Sequence, residues 1–341
     1  MNITFITEYS IDIASTRSRI LALDNFLKTK GIDSCINGNI EHADVVVFQK
    51  GDRRFLFRNF VKSKKLGKFI VFDVDDWYDN GYFDFFIKWA DLVFVGSEFL
   101  KTQWSYLNEK IYVLDDPLDV LDLNLPLPKY DLHRCNIGWF GNITNLPVLK
   151  DTKLKNVTTI TKGGDIEWSL DTIDENIRKF DLIVLPQDKT KSGSAKGNCR
   201  MLKSIYLGVP VLVSDLTSYI ELTKYISYPI DFIVKHGDSW EERVCRIKNG
   251  DIKFNFDFLN ARRLILDKYS KSARGQNWLT ILKREIPSKK WNLWQKIIFS
   301  IISFKIIYKY KNNNHREWII LGIISFKYKK QGNKHGKNST I

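Results

Sequence analysis

Short apolar runs that alternate with helix-like segments constrain the fold of this chain more than any other feature. A first set includes ADVVVFQ (Ala43–Gln49) and KFIVFDV (Lys68–Val74), and a second set includes NIGWF (Asn136–Phe140) and DLIVL (Asp181–Leu185). Between the two sets lies a stretch with three prolines and no clear period, residues 115–134. Apolar strands separated by helices are typical of parallel sheets covered on both faces. The pattern therefore predicts an α/β chain of two Rossmann-like domains.

We place the first domain at residues 1–120, a linker at 121–135, the second domain at 136–285 and a tail at 286–341. A chain of 341 residues is long enough for two domains with separate cores. The composition, 44% hydrophobic and 27% charged, is that of a folded protein.

The four cysteines are scattered and include no Cys-x-x-Cys pair. We therefore expect neither a zinc site nor a disulfide framework, and a reducing cytosol is the natural compartment. The N-terminal sequence MNITFITEYS has no basic segment followed by a long apolar stretch, so it does not resemble a secretory signal.

The positive charge of the chain is concentrated in the tail. Residues 289–341 carry eleven Lys and one Arg against the single acid Glu317, whereas residues 1–288 hold 41 basic and 38 acidic residues. A nucleic-acid-binding protein would be expected to carry a basic face on its folded domains, so the nearly neutral body argues against that class.

The tail also has a pattern of its own. Trp and Ile recur at helical spacing between Trp291 and Ile306, and the motif IISFK occurs at Ile301–Lys305 and again at Ile323–Lys327. No uncharged run approaches the roughly 20 residues needed to span a bilayer. We expect a basic amphipathic helix on an anionic membrane surface. The alternative is a helix that packs on the body or on another subunit. Residues after Gln331 are expected to be disordered.

Two segments of the second domain have the composition of a diphosphate site. The segment IGWFGN places Gly138, Gly141 and Asn142 at the end of a strand. Because glycine has no side chain, the backbone there could approach a phosphate closely. A tight turn explains the two glycines about as well. The loop after Leu182–Leu185 leads into a helix that begins with Lys196, Asn198 and Arg200. Cations and free N–H groups together suit a diphosphate.

Three further residues follow the next strand, namely Ser214, Tyr219 and Glu221. They could bind ribose or sugar hydroxyls, and Glu221 could equally be an ordinary first-turn helix acid. Lys189 and Lys191 are better explained as parts of a solvated loop.

The first domain has charged residues at corresponding places. Arg17 and Arg19 open the first helix, where their charges oppose its dipole unless an anion lies nearby. With Lys50 they are candidates for binding donor phosphate or an anionic acceptor. Asp75 and Asp76 follow a buried strand, together with Asp73. They could bind sugar hydroxyls, with one as general base, or simply cap the strand end. A metal site of the Asp-x-Asp type is the weaker alternative.

Taken together, these motifs resemble a branch of the retaining GT-B glycosyltransferases over roughly residues 1–285. The resemblance implies two Rossmann-like domains that face a cleft, with a nucleotide-diphosphate sugar on the second domain and a glycan or lipid-linked acceptor on the first. It implies Asp75, Asp76, Lys196 and Arg200 as catalytic residues, no metal, and no cofactor beyond the sugar nucleotide. The matching elements are S-x-R-x-R (Ser15, Arg17, Arg19), F-Q-K (Phe48–Lys50), D-V-D-D (Asp73–Asp76), the glycine motif (Gly138–Asn142) and K-x-N-x-R (Lys196, Asn198, Arg200).

The resemblance departs at one place. Many of these enzymes carry Glu-x7-Glu on the donor-binding helix, and Ala195 and Lys203 occupy those positions here. The donor sugar and the stereochemical course therefore stay open. Tails of this kind occur on enzymes of surface-polysaccharide and lipopolysaccharide synthesis, which implies a position on the inner face of the cell membrane. The rival hypothesis is a non-catalytic binder of nucleotide sugars or lipid head groups.

Overall fold

The computed structural model describes residues 1–79 and 81–286, together with the backbone of residues 306–311, 315–320 and 325–329. Two six-stranded sheets, both entirely parallel, form the body of the protein. Each sheet has a separate hydrophobic core, so the predicted pair of Rossmann-like domains is confirmed.

The first sheet has the strand order β2-β1-β3-β4-β5-β6. A π-helical segment, Thr16–Leu21, runs directly into its first helix. The strands are β1 (Asn2–Ile6), β2 (Asp33–Ile36), β3 (Val45–Gln49), β4 (Phe69–Val74), β5 (Leu92–Val95) and β6 (Ile111–Val113), and the helices are α1 (Ala22–Thr29), α2 (Arg53–Lys65), α3 (Asp84–Trp89) and α4 (Glu98–Trp104).

The second sheet has the order β12-β11-β10-β7-β8-β9. The strand order reverses between β7 and β10, and ligands bind at the carboxyl ends of strands at such a switch point. The strands are β7 (Ile137–Phe140), β8 (Val157–Thr161), β9 (Ile166–Glu167), β10 (Leu182–Leu185), β11 (Val211–Ser214) and β12 (Ile233–Val234). The helices are α5 (Leu146–Asp151), α6 (Ile173–Ile177), α7 (Lys191–Ser194), α8 (Cys199–Leu207), α9 (Thr217–Tyr225), α10 (Trp240–Lys248), α11 (Phe258–Tyr269) and α12 (Lys271–Glu285).

Helix α12 belongs to the first core although it follows the second domain in sequence. Trp278, which is fully buried, packs with Phe5 and Phe94 of the first sheet. Gly275 lies so close to Phe26 of α1 that an added Cβ would be 2.4 Å from its ring. The chain therefore returns to the first domain at its end, within the range 136–285 that the sequence assigned to the second.

The described part of the tail is built of strands. Ile306–Lys311, His315–Ile320 and Ser325–Lys329 form an antiparallel sheet, here β13, β14 and β15. These strands begin at Ile306, the last residue of the helical pattern predicted for the tail. Apolar or aromatic residues alternate with Lys or Arg over much of these segments, a period that favours strands. Most of the predicted helix, from Trp291 to Ile302, lies outside the described residues. None of the helices in the described part of the chain is long and apolar enough to cross a membrane.

Candidate functional site

The switch point of the second sheet holds the glycine motif and Arg200. Strand β7 ends at Phe140, whose carbonyl oxygen accepts a hydrogen bond from Arg200 Nη1 at 3.1 Å. A Cβ on Gly141 would lie 3.0 Å from the same nitrogen, so the glycine makes room for the guanidinium. Asn142 is exposed and caps the following short helix by accepting a bond from Thr144 N. Gly141 and Arg200 thus come together at the place where this sheet type binds ligands.

Gly138 has a different role from its neighbour Gly141. It lies inside β7, and a Cβ there would be 2.4 Å from the ring of Phe180. The glycine is required by packing between the strand and the segment that precedes β10. The structure therefore separates the two glycines that the sequence treated as one motif.

The segment before α8 is docked onto the first domain. Ala195, which stands where the resemblance expects a glutamate, is fully buried in the core beneath β4 and β5. Its carbonyl oxygen accepts a hydrogen bond from Ser97 Oγ at 3.0 Å, and the ammonium of Lys191 lies 4.9 Å from the ring centre of Trp77. These contacts bring Lys196 to the carboxyl ends of the first sheet.

A cluster of two lysines and two aspartates joins the domains at this point. Lys196 Nζ lies 2.8 Å from Asp76 Oδ1, and Lys50 contacts both Asp76 and Asp75, the latter at 2.7 Å. The side chains of Lys50 and Asp75 are 7% and 13% exposed, whereas those of Asp76 and Lys196 are 27% and 33% exposed. We call these four residues the cleft cluster. The structure thus brings together residues that the sequence placed in separate domains.

The two carboxylates of the cleft cluster differ in acidity. Burial raises the pKa of Asp75, and the neighbouring charge of Lys50 only partly offsets it. Burial also acts on Asp76, but the charges of Lys50 and Lys196 prevail and lower its pKa to about 2. Burial would lower the pKa of Lys50, yet Asp75 and Asp76 hold it well above its ordinary value. At neutral pH, therefore, Asp76 and Lys50 are charged.

Arg17 and Arg19 are both buried in internal ion pairs. Arg19 binds Asp73 through two nitrogens, at 2.6 and 3.1 Å, and Asp116 at 2.8 Å. Arg17 binds both oxygens of Asp119, the shortest contact being 2.7 Å. The anions that offset the helix dipole are therefore carboxylates of the protein itself, and these two arginines position the segment after β6.

Three of the other four candidates, Asn198, Ser214 and Tyr219, are buried, and the fourth, Glu221, is exposed. Asn198 is buried, with its amide nitrogen 3.4 Å from the hydroxyl of Tyr269. Ser214 ties the ends of β10 and β11 together through Gln187. Tyr219 is fully buried in the second core, and Glu221 lies exposed on α9.

Several charged residues at the cleft were not predicted. Asp116 and Asp119 belong to the segment after β6, in the proline-containing stretch 115–134 where the sequence showed no clear period. The signal that could have found them is the acid pair Asp115–Asp116 after β6. The same feature, acids that follow a parallel strand, identified Asp75 and Asp76. Lys203, at the second expected glutamate position, is buried against Asp174 at 2.6 Å and donates to the Asp119 carbonyl oxygen. Lys203 is a buried cation, so it cannot take over the role of the glutamate expected at this position.

Some buried polar atoms at these strand ends lack a hydrogen-bond partner among the described residues. In the first domain they include Gln49 Nε2 at the end of β3 and Ser15 Oγ, and in the second Gln187 Nε2 after β10 and Asn198 Oδ1 before α8. Buried polar atoms are normally paired, but such atoms are not confined to these strand ends, since Trp278 Nε1 in the first core is another. Across residues 1–79 and 81–286, His, Cys, Asp and Glu form no group of three that could hold a metal ion.

Comparison with known proteins gives a result at the level of structure only. No protein-family model and no curated protein sequence matches the chain. Solved structures do match. HepE of Anabaena in complex with UDP aligns with a TM-score of 0.60 at 12% identity, over 83% of this chain and 100% of that one. The lipopolysaccharide outer core galactosyltransferase WaaB aligns with a TM-score of 0.56 at 13% identity, over 84% and 100%. The chain has the GT-B fold.

A third GT-B structure matches at still lower sequence identity. Sucrose-phosphate synthase of Thermosynechococcus elongatus aligns with a TM-score of 0.60 at only 8% identity, over 85% of this chain and 100% of that one. The GT-B fold places the two sheets opposite each other, and the cleft cluster lies where their loops meet.

Proposed function

We propose that this protein is a glycosyltransferase that moves a sugar from a nucleotide-diphosphate sugar to a glycan or lipid-linked acceptor in cell-surface polysaccharide or lipopolysaccharide synthesis. The observation that carries the proposal is the contact between Lys196 and Asp76. A transferase must bring the donor diphosphate next to the acceptor hydroxyl, and this contact places a phosphate-binding cation beside a candidate base. The similarity to GT-B structures also supports the proposal, because one of them, HepE, was solved in complex with UDP.

The donor side of the reaction uses the second domain. Lys196 and Arg200 contact the diphosphate, and Gly141 lies beneath it. The remaining donor-binding candidates of this domain are Asn198, Ser214, Tyr219 and Glu221. When the bond between the anomeric carbon and the phosphate oxygen breaks, negative charge develops on the diphosphate. Fixed cations that face this charge lower the barrier. Protein cations carry out this role, so the proposed reaction is metal-independent and needs no cofactor besides the donor.

The acceptor side uses the first domain. The acceptor hydroxyl forms the new bond to the anomeric carbon and gives up its proton. Asp76 is exposed enough to accept a hydrogen bond from this hydroxyl, and it takes the proton once the diphosphate has replaced it as the partner of Lys196. Lys50 holds the two carboxylates, while Arg17 and Arg19 fix the loops around them.

A donor-turnover assay tests this function. UDP-, GDP- and dTDP-sugars are each incubated with the protein, with a CMP-sugar as the monophosphate comparison, and nucleotide release is measured with and without candidate acceptors. We expect release from at least one donor, and a loss of about a hundredfold in kcat for Lys196→Ala and for Arg200→Ala. Lys189→Ala, an exposed lysine paired with Asp215, serves as the control and is expected to retain turnover. Full turnover by both site variants would contradict the assignment. Binding without turnover of any donor would favour the non-catalytic binder.

We further propose that the basic tail holds the enzyme on the inner face of the cell membrane. The charge of residues 289–341 supports this, because anionic lipid attracts clustered Lys and Arg. Flotation with anionic liposomes compares the full chain with a chain that ends at residue 288. Flotation of the full chain alone is expected, and equal recovery of both forms in the soluble fraction would contradict the proposal.

A further inference from the structure

Two tyrosines in the segment between β4 and α3 form an aromatic surface beside the cleft cluster. The rings of Tyr78 and Tyr82 stack with their centres 5.4 Å apart and an angle of 27° between their planes. Tyr78 comes two residues after Asp76 in the sequence, and it is still 36% exposed. We call Tyr78 and Tyr82 the tyrosine pair. The pair offers aromatic surface to a ligand that enters the cleft.

Contacts on both sides of Tyr78 hold this surface in place. The Tyr82 hydroxyl accepts a hydrogen bond from Arg53 N at 2.9 Å, which ties the pair to the start of α2. On the other side, the indole of Trp77 stacks on Trp104 of α4, with the ring centres 5.4 Å apart. A ligand would therefore meet a ring that is already positioned, which lowers the cost of ordering the site on binding.

The hydroxyl of Tyr78 lies close to the charges of the cleft cluster. Burial raises the pKa of this hydroxyl to about 12, and the charge of Lys50 lowers it while those of Asp76 and Asp75 raise it. Electrostatic interactions weaken with distance, so these effects place the phenol near the two carboxylates. The aromatic surface and the carboxylates therefore border the same part of the cleft.

The chemistry of this part of the cleft suits an uncharged sugar ring. A pyranose has faces of C–H groups, which pack on aromatic rings, and hydroxyls at its edge, which donate to carboxylates such as Asp75 and Asp76. A phosphate on the acceptor would need cations instead. In the first domain, Arg17, Arg19 and Lys50 are each paired with carboxylates of the protein. The site therefore favours a neutral sugar over an anionic group.

We propose that the tyrosine pair stacks on a sugar ring of the acceptor and so directs one hydroxyl of that ring to Asp76. This inference rests on the proposed function. It narrows the acceptor to a glycan that ends in an uncharged pyranose, in place of a bare lipid phosphate. A ring held on Tyr78 has little freedom to turn, and fixing the orientation of a reacting hydroxyl lowers the barrier to transfer.

Saturation-transfer NMR with the full-length protein tests this inference. The probes are the methyl glycosides of glucose, galactose, mannose and N-acetylglucosamine, with farnesyl phosphate as the lipid-phosphate comparison. Each is titrated against wild type, Tyr78→Phe, Tyr78→Leu and the control Tyr106→Ala, which changes a tyrosine of the first domain that is 74% exposed. We expect wild type, Tyr78→Phe and Tyr106→Ala to bind at least one glycoside with similar affinity. Tyr78→Leu keeps the apolar volume but lacks a ring face, so we expect it to bind that glycoside about tenfold more weakly.

The outcomes separate this inference from the proposed function. Equal affinity of wild type and Tyr78→Leu would overturn it, and so would a wild type that binds farnesyl phosphate alone or none of the probes. Weakening in Tyr78→Phe as large as in Tyr78→Leu would assign the effect to the hydroxyl and refute the stacking. Nucleotide release is measured separately, and its absence in wild type would count against the transferase while leaving the glycoside comparison intact. Because Tyr78→Phe retains the packed ring, its comparison with wild type holds even if Tyr78→Leu proves unstable.

Discussion

Lys196 and Asp76 form an ion pair across the cleft when no donor is bound. Removing a charge from water is costly unless an opposite charge compensates, so a lysine at a partly buried site requires a nearby anion. Asp76 supplies it in this structure. A diphosphate carries more negative charge than one carboxylate and would displace Asp76 from Lys196. Donor binding then frees Asp76 for the acceptor hydroxyl while Lys50 keeps it in place.

This competition gives a prediction for the Asp76→Asn variant. The amide no longer competes with the diphosphate for Lys196, so we expect the variant to bind nucleotide diphosphate about tenfold more tightly while its transfer rate falls at least about a hundredfold. Calorimetric titration gives the affinity. Asp79→Asn, in the same loop but bound to Trp77 Nε1, is the matched control. Weaker nucleotide binding by Asp76→Asn would rule out the competition.

The acidity of Asp76 gives a second prediction, this one about pH. Its pKa of about 2 in the folded protein lies below the value of about 3.9 in an unfolded chain, so its ion pairs stabilise the fold fully only above about pH 5. That stabilisation is lost progressively as the pH falls from about 5 towards 2. We expect the difference in free energy of unfolding between wild type and Asp76→Asn to shrink between about pH 5 and about pH 3. Urea denaturation followed by tryptophan fluorescence measures it, and a difference that stays constant would show that the pairs contribute nothing.

Individual site residues could be predicted where a single segment contains both the apolar strand and the charged residues that follow it. The cations Lys196 and Arg200 and the acids Asp75 and Asp76 follow strands whose apolar character is clear. Lys196 does meet Asp76, whereas Arg200 lies at the end of β7 in the second sheet. The role of Gly138 depends on Phe180 from another segment, and that of Arg19 depends on Asp73 and Asp116. No local pattern contains such partners, so the sequence could not distinguish packing and internal ion pairs from ligand contacts.

Among the elements, the central strands follow their apolar runs closely. Strands β3, β4 and β10 are buried on both faces, which produces the continuous hydrophobic pattern used to find them. The edge strand β2 reads DSCI and alternates in burial, and β9 and β12 have two residues each, so they left no such pattern. The start of the first helix also departs from a regular α-helix. The wider π-helical turn of Thr16–Leu21 buries both Arg17 and Arg19, which a regular polar face would leave in solvent.

Strand β7 gives a prediction at this scale. Gly138→Ala inserts a methyl group where the ring of Phe180 lies 2.4 Å away, and overpacking of this kind costs about 1–3 kcal/mol of stability. Gly197→Ala is the control, because a Cβ there meets its nearest atoms at 3.6 Å, an ordinary contact. We expect a lower urea midpoint for the first variant and no comparable change for the second. Equal midpoints would mean that β7 and the Phe180 segment can move apart freely.

For the whole molecule, the two domains are connected at both ends of the second one. The segment after β6 leads out of the first domain through Asp116 and Asp119, and α12 returns to it through Trp278. Removing this indole should cost about 3–5 kcal/mol, as expected for a fully buried aromatic residue. Tyr106→Ala, at a residue 74% exposed, serves as the comparison. We expect Trp278→Ala to lower the melting temperature of the first domain, and a shift no larger than that of Tyr106→Ala would show that α12 contributes little to that core.

The central claim is that donor diphosphate binds at the cleft cluster and there replaces Asp76 as the partner of Lys196. An experimental structure with bound nucleotide diphosphate tests this most directly. The account predicts phosphate oxygens within hydrogen-bond distance of Lys196 Nζ and of the Arg200 guanidinium, with Asp76 still held by Lys50. A nucleotide bound elsewhere, or a diphosphate bound while Lys196 remains paired with Asp76, would contradict it.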